Sequence, residues 1–320
     1  MIFTKQKRSS EEFFDGKKVL ITGGAGFIGS HIVEVLSKCC AVTVVDNLSS
    51  GKLDNIKALD IDFIEMDIVD TKLENILKDV NIVFHLAAQT SVDNSLEIPL
   101  LDANTNILGL INLLECCRRK QVQRIIFSSS SAVYGNKANI PISEDDVCGP
   151  ESPYGISKKT GEHYMFLYNK LYNMQNVCLR YFNVYGPRQD PDSQYSGVIS
   201  IFVTRYLNND VLTIHGDGRQ TRDYIHVSDV VKANILAAQL TKPVERSINI
   251  GTGVETSVLD VVNTLDNNYS NIIYSKPRLG DIMRNVAKTN LARETLQFVP
   301  SINIETGIQE YVAWMKSHTN

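Results

Sequence analysis

The chain lacks any apolar run approaching the ~18 residues needed to cross a bilayer, so no membrane-spanning helix is expected. It also lacks a basic excess: 32 Lys and Arg stand against 36 Asp and Glu, for a net charge of −4. That balance carries no electrostatic footprint of a nucleic-acid or anionic-membrane binder, and neither is expected as a partner. No C-x-x-C occurs among the six cysteines: Cys39-Cys40 and Cys116-Cys117 are adjacent pairs, and Cys148 and Cys178 stand alone. Neither a zinc site nor a disulfide framework is expected; reduced, mostly buried thiols suit a cytoplasmic protein. Residues 1–16 mix Lys5, Lys7, Arg8, Glu11 and Glu12 and have no apolar core, so they read as an extension before the first strand rather than a secretory signal. Internal repeats and low-complexity linkers are missing as well. What remains, 320 residues with 43% hydrophobic and 21% charged, is an ordinary globular composition that suffices for one large domain or two coupled ones.

What is present is a glycine turn. Val19-Leu20-Ile21-Thr22 reads as a buried strand, Gly23-Gly24-Ala25-Gly26 as a turn, and Phe27-Ile28-Gly29 as the start of a helix with apolar Ile28, Ile32, Val35 and Leu36. Gly24, Gly26 and Gly29 fit G-x-G-x-x-G, while Gly23, Gly26 and Gly29 fit G-x-x-G-x-x-G. Such a turn brings backbone N–H groups and the positive end of a helix dipole to a diphosphate. Glycine turns also occur without a ligand, but a strand before and an amphipathic helix after favour a dinucleotide. A short strand then ends in Asp46, twenty residues beyond Gly26, where a carboxylate would bond ribose hydroxyls and repel a 2′-phosphate. No arginine follows at once, which favours NAD over NADP.

Strands expected at 62–67, 82–87 and 124–128, a short helix at 73–78 and a long one at 101–120 continue the β-α alternation. The spacing predicts an α/β fold, a doubly wound parallel sheet of the Rossmann type, with ligands at the strand C-termini. The fifth strand runs into Ser128-Ser129-Ser130-Ser131, a possible polar loop but also the substrate edge of such a sheet. Ser152-Pro153 then opens a helix over 153–173. Tyr154 and Lys158, four apart, share one face of it. An ammonium beside a phenol is expected to lower the tyrosine pKa and make it a general base. After a strand at 176–180 the rhythm becomes irregular. Helices are expected at 196–207, 227–239, 258–265 and 304–316, with short strands at 212–215, 247–250 and 272–274. The domains expected are an extension 1–16, a Rossmann domain 17–183, and a smaller mixed α/β lobe 184–320 that binds substrate and returns some segments to the large sheet. Arg219, Arg222 and Arg278 lie in turn-rich stretches that suit a diphosphate, although surface arginines in loops are commonplace.

Together these stretches resemble the extended short-chain dehydrogenase/reductases and, within them, nucleotide-sugar epimerases of the NAD-dependent epimerase/dehydratase family, UDP-glucose 4-epimerases most of all. The resemblance runs from about residue 17 to the C-terminus. Its markers are Thr22–Gly29, Asp46, the serines before Tyr134-Gly135, Tyr154-x-x-x-Lys158, Phe84–Gln89, Asn106–Gly109, Arg180–Pro187 and Arg222–Val227. It implies that Gly23, Gly26, Phe27, Ile28 and Gly29 surround the NAD diphosphate. Asp46 and Asn47 would hold the adenosine ribose, Asp67 and Ile68 would meet adenine, and Ala87, Ala88, Asn106 and Tyr181 would line the way to nicotinamide. It implies Ser130, Tyr154 and Lys158 as the catalytic set, with Ser129 and Ser131 ranked lower. Asn183, Arg222 and Arg278 would hold a UDP diphosphate. Asn285 would stand at the sugar C2 substituent, where asparagine is small enough to admit N-acetyl groups; the position also fits an exposed loop. No metal is implied.

The activity implied is inversion of C4 of a UDP-hexose through a 4-keto intermediate with bound NAD. The alternatives are a UDP-N-acetylglucosamine or UDP-glucuronate 4-epimerase and a nucleotide-sugar decarboxylase. A 4,6-dehydratase would carry an Asp-Glu pair where this chain has Ser131-Ala132. A non-catalytic NAD-binding protein would not need Ser130, Tyr154 and Lys158 together. Lys288 departs from the aspartate usual in the family and is assigned no role. The family also implies a homodimer built on helices 101–120 and 153–173.

Overall fold

The computed structural model describes residues 9–137, 139–190, 197–277 and 283–318. Seven strands form the large sheet: β1 (Lys18–Thr22), β2 (Ala41–Asp46), β3 (Asp62–Glu65), β4 (Ile82–His85), β5 (Arg124–Ser130), β6 (Val177–Tyr181) and β7 (Ile248–Ile250). Their order is β3-β2-β1-β4-β5-β6-β7, and every pair is parallel. The order reverses between β1 and β4, which opens a crevice at their C-terminal ends.

Both faces of the sheet are covered, which is why β1, β4 and β6 read as near-continuous apolar runs. Alternate side chains of β1 feed two cores. Val19 and Ile21 join Ile32, Val33 and Leu36 of helix Phe27–Leu36 on one face. Leu20 joins Leu110, Leu113 and Leu114 of helix Gly109–Arg119 and Met165 of helix Pro153–Tyr172 on the other. A third core, around Ile199, Phe202, Ile214, Val261 and Tyr311, fills the smaller C-terminal lobe. There, short strand pairs take over: Leu212–His215 with Ile272–Ser275, and Thr221–Arg222 between Thr256–Ser257 and Arg284–Asn285.

Two features differ from the sequence expectation or extend it. The helix anticipated at 101–120 begins earlier, at Pro99–Ala103, widens into a π turn over Asn104–Leu108 and resumes as Gly109–Arg119. The widened turn carries Asn106, whose side chain is bonded into the neighbouring loop and helix, and π turns commonly mark such sites. Residues before β1 also pack. Ser9 and Glu12 form a capping box on helix Ser10–Phe14. Phe14 is fully buried, its ring centroid 6.5 Å from that of Phe84. Among the described residues no helix is long and apolar enough to cross a membrane.

Because Phe14 fills space under the sheet, Phe14→Ala is expected to destabilise the fold by about 3–5 kcal/mol. Urea unfolding reads this as a lower midpoint. Phe13→Ala, at a half-buried ring, should cost clearly less.

Candidate active site

The glycine turn is built by close approach. Gly23 has φ +70°, and a Cβ there would stand 2.5 Å from the Ala87 backbone nitrogen, just past β4. A Cβ on Gly29 would stand 2.1 Å from the Gly23 carbonyl oxygen. Only glycine lets β1, the helix after it and the end of β4 meet in this way. Gly26 is the N-cap of helix Phe27–Leu36, with no side chain over the first amides. Phe27 and Ile28 are half-buried on the first turn.

Asp46 ends β2 and is buried. Its carboxylate accepts from the Ala25 amide at 3.0 Å and the Leu48 amide at 2.9 Å, so it also braces the glycine turn. The Asn47 side chain donates to Asp67 Oδ2 at 2.8 Å. Ile68 lies buried beside Gly109, where a Cβ would come within 2.6 Å of it. Gly23, Asp46, Asp67 and Ala87 thus lie at or just past the C-terminal ends of β1, β2, β3 and β4. A bare helix N-terminus, a glycine turn without room for Cβ atoms and a carboxylate at the second strand end fit an NAD diphosphate and ribose.

At the end of β5, Ser130 caps a short 3-10 turn, its Oγ accepting from the Ala132 amide at 3.2 Å. It stands beside the half-buried Tyr154 on helix Pro153–Tyr172, near enough to act on its phenol. Lys158 is buried. Its Nζ donates to the Ser128 carbonyl at 2.9 Å and lies 5.7 Å from the centroid of the Tyr154 ring. The expected lowering of the tyrosine is not what this geometry produces. Burial pushes the Tyr154 phenol up to about 12, against the influence of the neighbouring Ser130, with the Asp102 charge adding to the rise. Burial pulls the Lys158 ammonium down to about 8, and Asp102 opposes the fall. Both groups sit where charge is poorly solvated, so desolvation decides the direction of both shifts. The Tyr181 hydroxyl, pushed up by burial, donates to Asn234 at 2.9 Å. The remaining serines differ. Ser129 is buried and donates to Glu162 at 2.7 Å, whereas Ser131 begins the 3-10 turn.

Asn106 is buried and fully engaged. Its Nδ2 donates to the Gln89 carbonyl at 2.9 Å, Asp102 Oδ2 at 2.9 Å and Ser157 Oγ at 3.3 Å, and its Oδ1 accepts from the Gln89 amide at 2.9 Å. Asp102, Gln89, Ser157 and Asn234 escaped the sequence reading. For Asp102 a signal existed: it stands four before Asn106, one helical turn away on the same face.

Two residues past Tyr181, the chain reaches Asn183 and a cavity of about 330 Å³, lined by Asn183, Arg222, Phe202, Thr213, His215 and Gln220 among others. Asn183 Nδ2 donates to the Asp223 carbonyl at 3.1 Å and Arg222 to the Thr221 carbonyl at 2.9 Å. Asn285 pairs in register with Arg222 on the neighbouring parallel strand, so both side chains leave the same face. Asn285 is buried rather than in an exposed loop, and its Oδ1 has no hydrogen-bond partner among the described residues. Arg278 lies outside the described residues. Lys288 is exposed; its backbone amide donates to the Ile142 carbonyl at 2.9 Å.

Known proteins share this fold over nearly the whole chain. The NAD-dependent epimerase/dehydratase family matches residues 19–251. A UDP-glucose 4-epimerase of Mycolicibacterium smegmatis is 37% identical, over 94% of this chain and 99% of its own. The crystal structure of UDP-glucose 4-epimerase from Thermotoga maritima with UDP-glucose superposes with a TM-score of 0.90 at 40% identity, covering 95% of this chain and 100% of that one. UDP-N-acetylglucosamine 4-epimerase from Methanobrevibacter ruminantium, in complex with UDP-N-acetylmuramic acid, does so with a TM-score of 0.89 at 39% identity and the same coverage.

Proposed function

The chain belongs to the NAD-dependent epimerase/dehydratase family, and from that membership we propose that it inverts C4 of a UDP-hexose, UDP-glucose/UDP-galactose and their N-acetylated forms. The observation that carries the reading is one continuous edge. It runs from the glycine turn past Ser130, Tyr154 and Lys158 to the Asn183–Arg222 cavity, so cofactor, reacting carbon and nucleotide each have a place.

In this reading Tyr154 takes the proton from the 4-hydroxyl as C4 is oxidised. Ser130, beside Tyr154, shares the hydrogen bond to the 4-oxygen and steadies the ketone. Lys158, beside the phenol, favours its ionised form. Gly23, Gly26, Phe27, Ile28 and Gly29 would hold the NAD diphosphate, Asp46 and Asn47 the ribose, Asp67 and Ile68 the adenine, and Ala87, Ala88, Asn106 and Tyr181 the nicotinamide side. When bound, NAD supplies the hydride acceptor and donor and a positive charge that favours phenolate. Asn183 and Arg222, with Arg278, would anchor the UDP diphosphate while the keto-sugar turns to offer its other face. N-acetylhexosamines are included because Asn285 is small, buried and carries an unpartnered acceptor on the face it shares with Arg222.

The test is incubation of the purified protein with UDP-galactose, UDP-N-acetylgalactosamine and UDP-galacturonate, with products separated by chromatography. The first two should give their C4 epimers. Turnover of none refutes the epimerase, and turnover of the galacturonate alone moves the substrate class to uronates. Tyr154→Phe should lose turnover by about 10²-fold or more while keeping NAD.

The pH profile follows from Lys158. Its ammonium is charged below about 8, so kcat/KM should fall as pH rises through that value. Asp102 raises the Lys158 pKa; Asp102→Asn should therefore shift this basic limb to lower pH, and an unmoved limb would remove Lys158 as its origin.

A homodimer belongs to the same reading. Leu100 (82% exposed), Leu108 (58%), Ile156 (51%) and Leu171 (57%) lie on the two neighbouring helical segments without cover in the single chain. Analytical ultracentrifugation should give twice the 35.8 kDa chain mass, and Leu108→Glu should shift it toward the monomer. A monomeric parent protein would refute the dimer.

A further inference from the structure

Tyr154, Lys158 and Glu162 follow one another at four-residue intervals, a single stripe on helix Pro153–Tyr172. Each meets the end of β5. Tyr154 lies beside Ser130, Lys158 Nζ donates to the Ser128 carbonyl at 2.9 Å, and Glu162 Oε1 accepts from Ser129 Oγ at 2.7 Å. The third rung lies two helical turns from the reacting phenol. Glu162 is fully buried, and Arg180 grips it through two hydrogen bonds of 2.7 and 2.8 Å. Burial would raise the Glu162 carboxyl, but the Arg180 bonds more than offset it and hold the group below its ordinary value. Arg180 precedes Tyr181 on β6 and also donates to the Tyr134 hydroxyl at 2.7 Å, which in turn donates to Asn249 on β7 at 2.7 Å. One carboxylate therefore ties the helix that carries Tyr154 and Lys158 to β5, and through Arg180 to β6 and β7.

We propose that Glu162 is a positioning residue for the reaction: through Ser129 and Arg180 it fixes the rotation and height of helix Pro153–Tyr172 against the end of β5, and so the spacing of Tyr154, Lys158 and Ser130. It acts by geometry. The carboxylate whose charge bears on Tyr154 and Lys158 is Asp102. A buried ion pair is a costly way to gain stability alone, whereas a displacement of about 1 Å at reacting groups can cost about 10²-fold in rate. The proposal rests on Tyr154 acting as the base in the epimerase reading.

Ser129→Ala is the decisive variant, since it removes one rung and leaves the Glu162–Arg180 pair intact. Glu162→Gln would strand the Arg180 charge and is expected to fold poorly. With the UDP-hexose turned over by the parent enzyme, Ser129→Ala should lower kcat about tenfold or more. KM should stay within about twofold, with NAD content and the basic pH limb as in the parent and a melting midpoint that leaves the protein folded at the assay temperature. Ser129→Thr, which keeps the hydroxyl, should recover most of the lost kcat. Unchanged kcat in Ser129→Ala, a KM rise that accounts for the whole loss, or an activity loss that only tracks the unfolded fraction overturns the proposal. Tyr154→Phe separates this from failure of the reading beneath it: full turnover there removes Tyr154 as the base. An inactive Tyr154→Phe beside a fully active Ser129→Ala removes the positioning role alone.

Discussion

Everything at the site depends on how closely backbone can approach backbone at the end of β1. Gly23 lies against Ala87, and Gly29 against the Gly23 carbonyl, at separations that leave no volume for a Cβ. These contacts set the helix after β1 on the sheet and bring its bare N-terminus to the crevice between β1 and β4. They also place the end of β4 beside the turn, so the cofactor edge and the edge leading to Ser130 become one surface. A methyl group at Gly29 would push apart the elements the site is made from.

The second constraint is desolvation. The parallel sheet is covered on both faces, so polar groups reaching it from the helices are buried and must find partners. Glu162 finds Arg180 and Ser129; Asn106 finds Gln89, Asp102 and Ser157; His85 finds Thr22 at 2.7 Å. Tyr154 and Lys158 show what burial does to the groups at the crevice. Each is moved away from its charged form, the phenol upward and the ammonium downward. A site of this sort responds strongly to whatever charge enters it, because little water is present to screen it.

The C-terminal lobe works differently. Its strands are two to four residues long and pair across long stretches of chain, so its cavity is assembled from segments far apart in sequence. Asn183 comes from the continuation of β6, Arg222 from a short strand beside the one that carries Asn285, and His215 from another pair. That cavity is therefore held by contacts between many short segments, while the glycine turn is held by one tightly packed junction.

Much of the molecule was legible in the residues alone. Glycine spacing, the apolar period of the first helix, Asp46 at the end of β2 and the β-branched strands specify a doubly wound sheet, since each reflects a local requirement of turn, helix or strand. Tyr154 and Lys158 were legible for the same reason: a spacing of four is a fact of helix geometry. What the sequence could not determine is which polar groups meet across the fold. Ser129 and Ser130 are adjacent and chemically identical, yet packing turns one to Glu162 and the other to Tyr154. The direction of the Tyr154 shift departs from the expectation because a spacing reports proximity and not burial, and burial dominates there. Asp102, Asn234 and the Glu162–Arg180 pair became visible only once the helices were laid on the sheet, because buried charge and hydrogen-bond partnership belong to tertiary contact rather than to any local pattern.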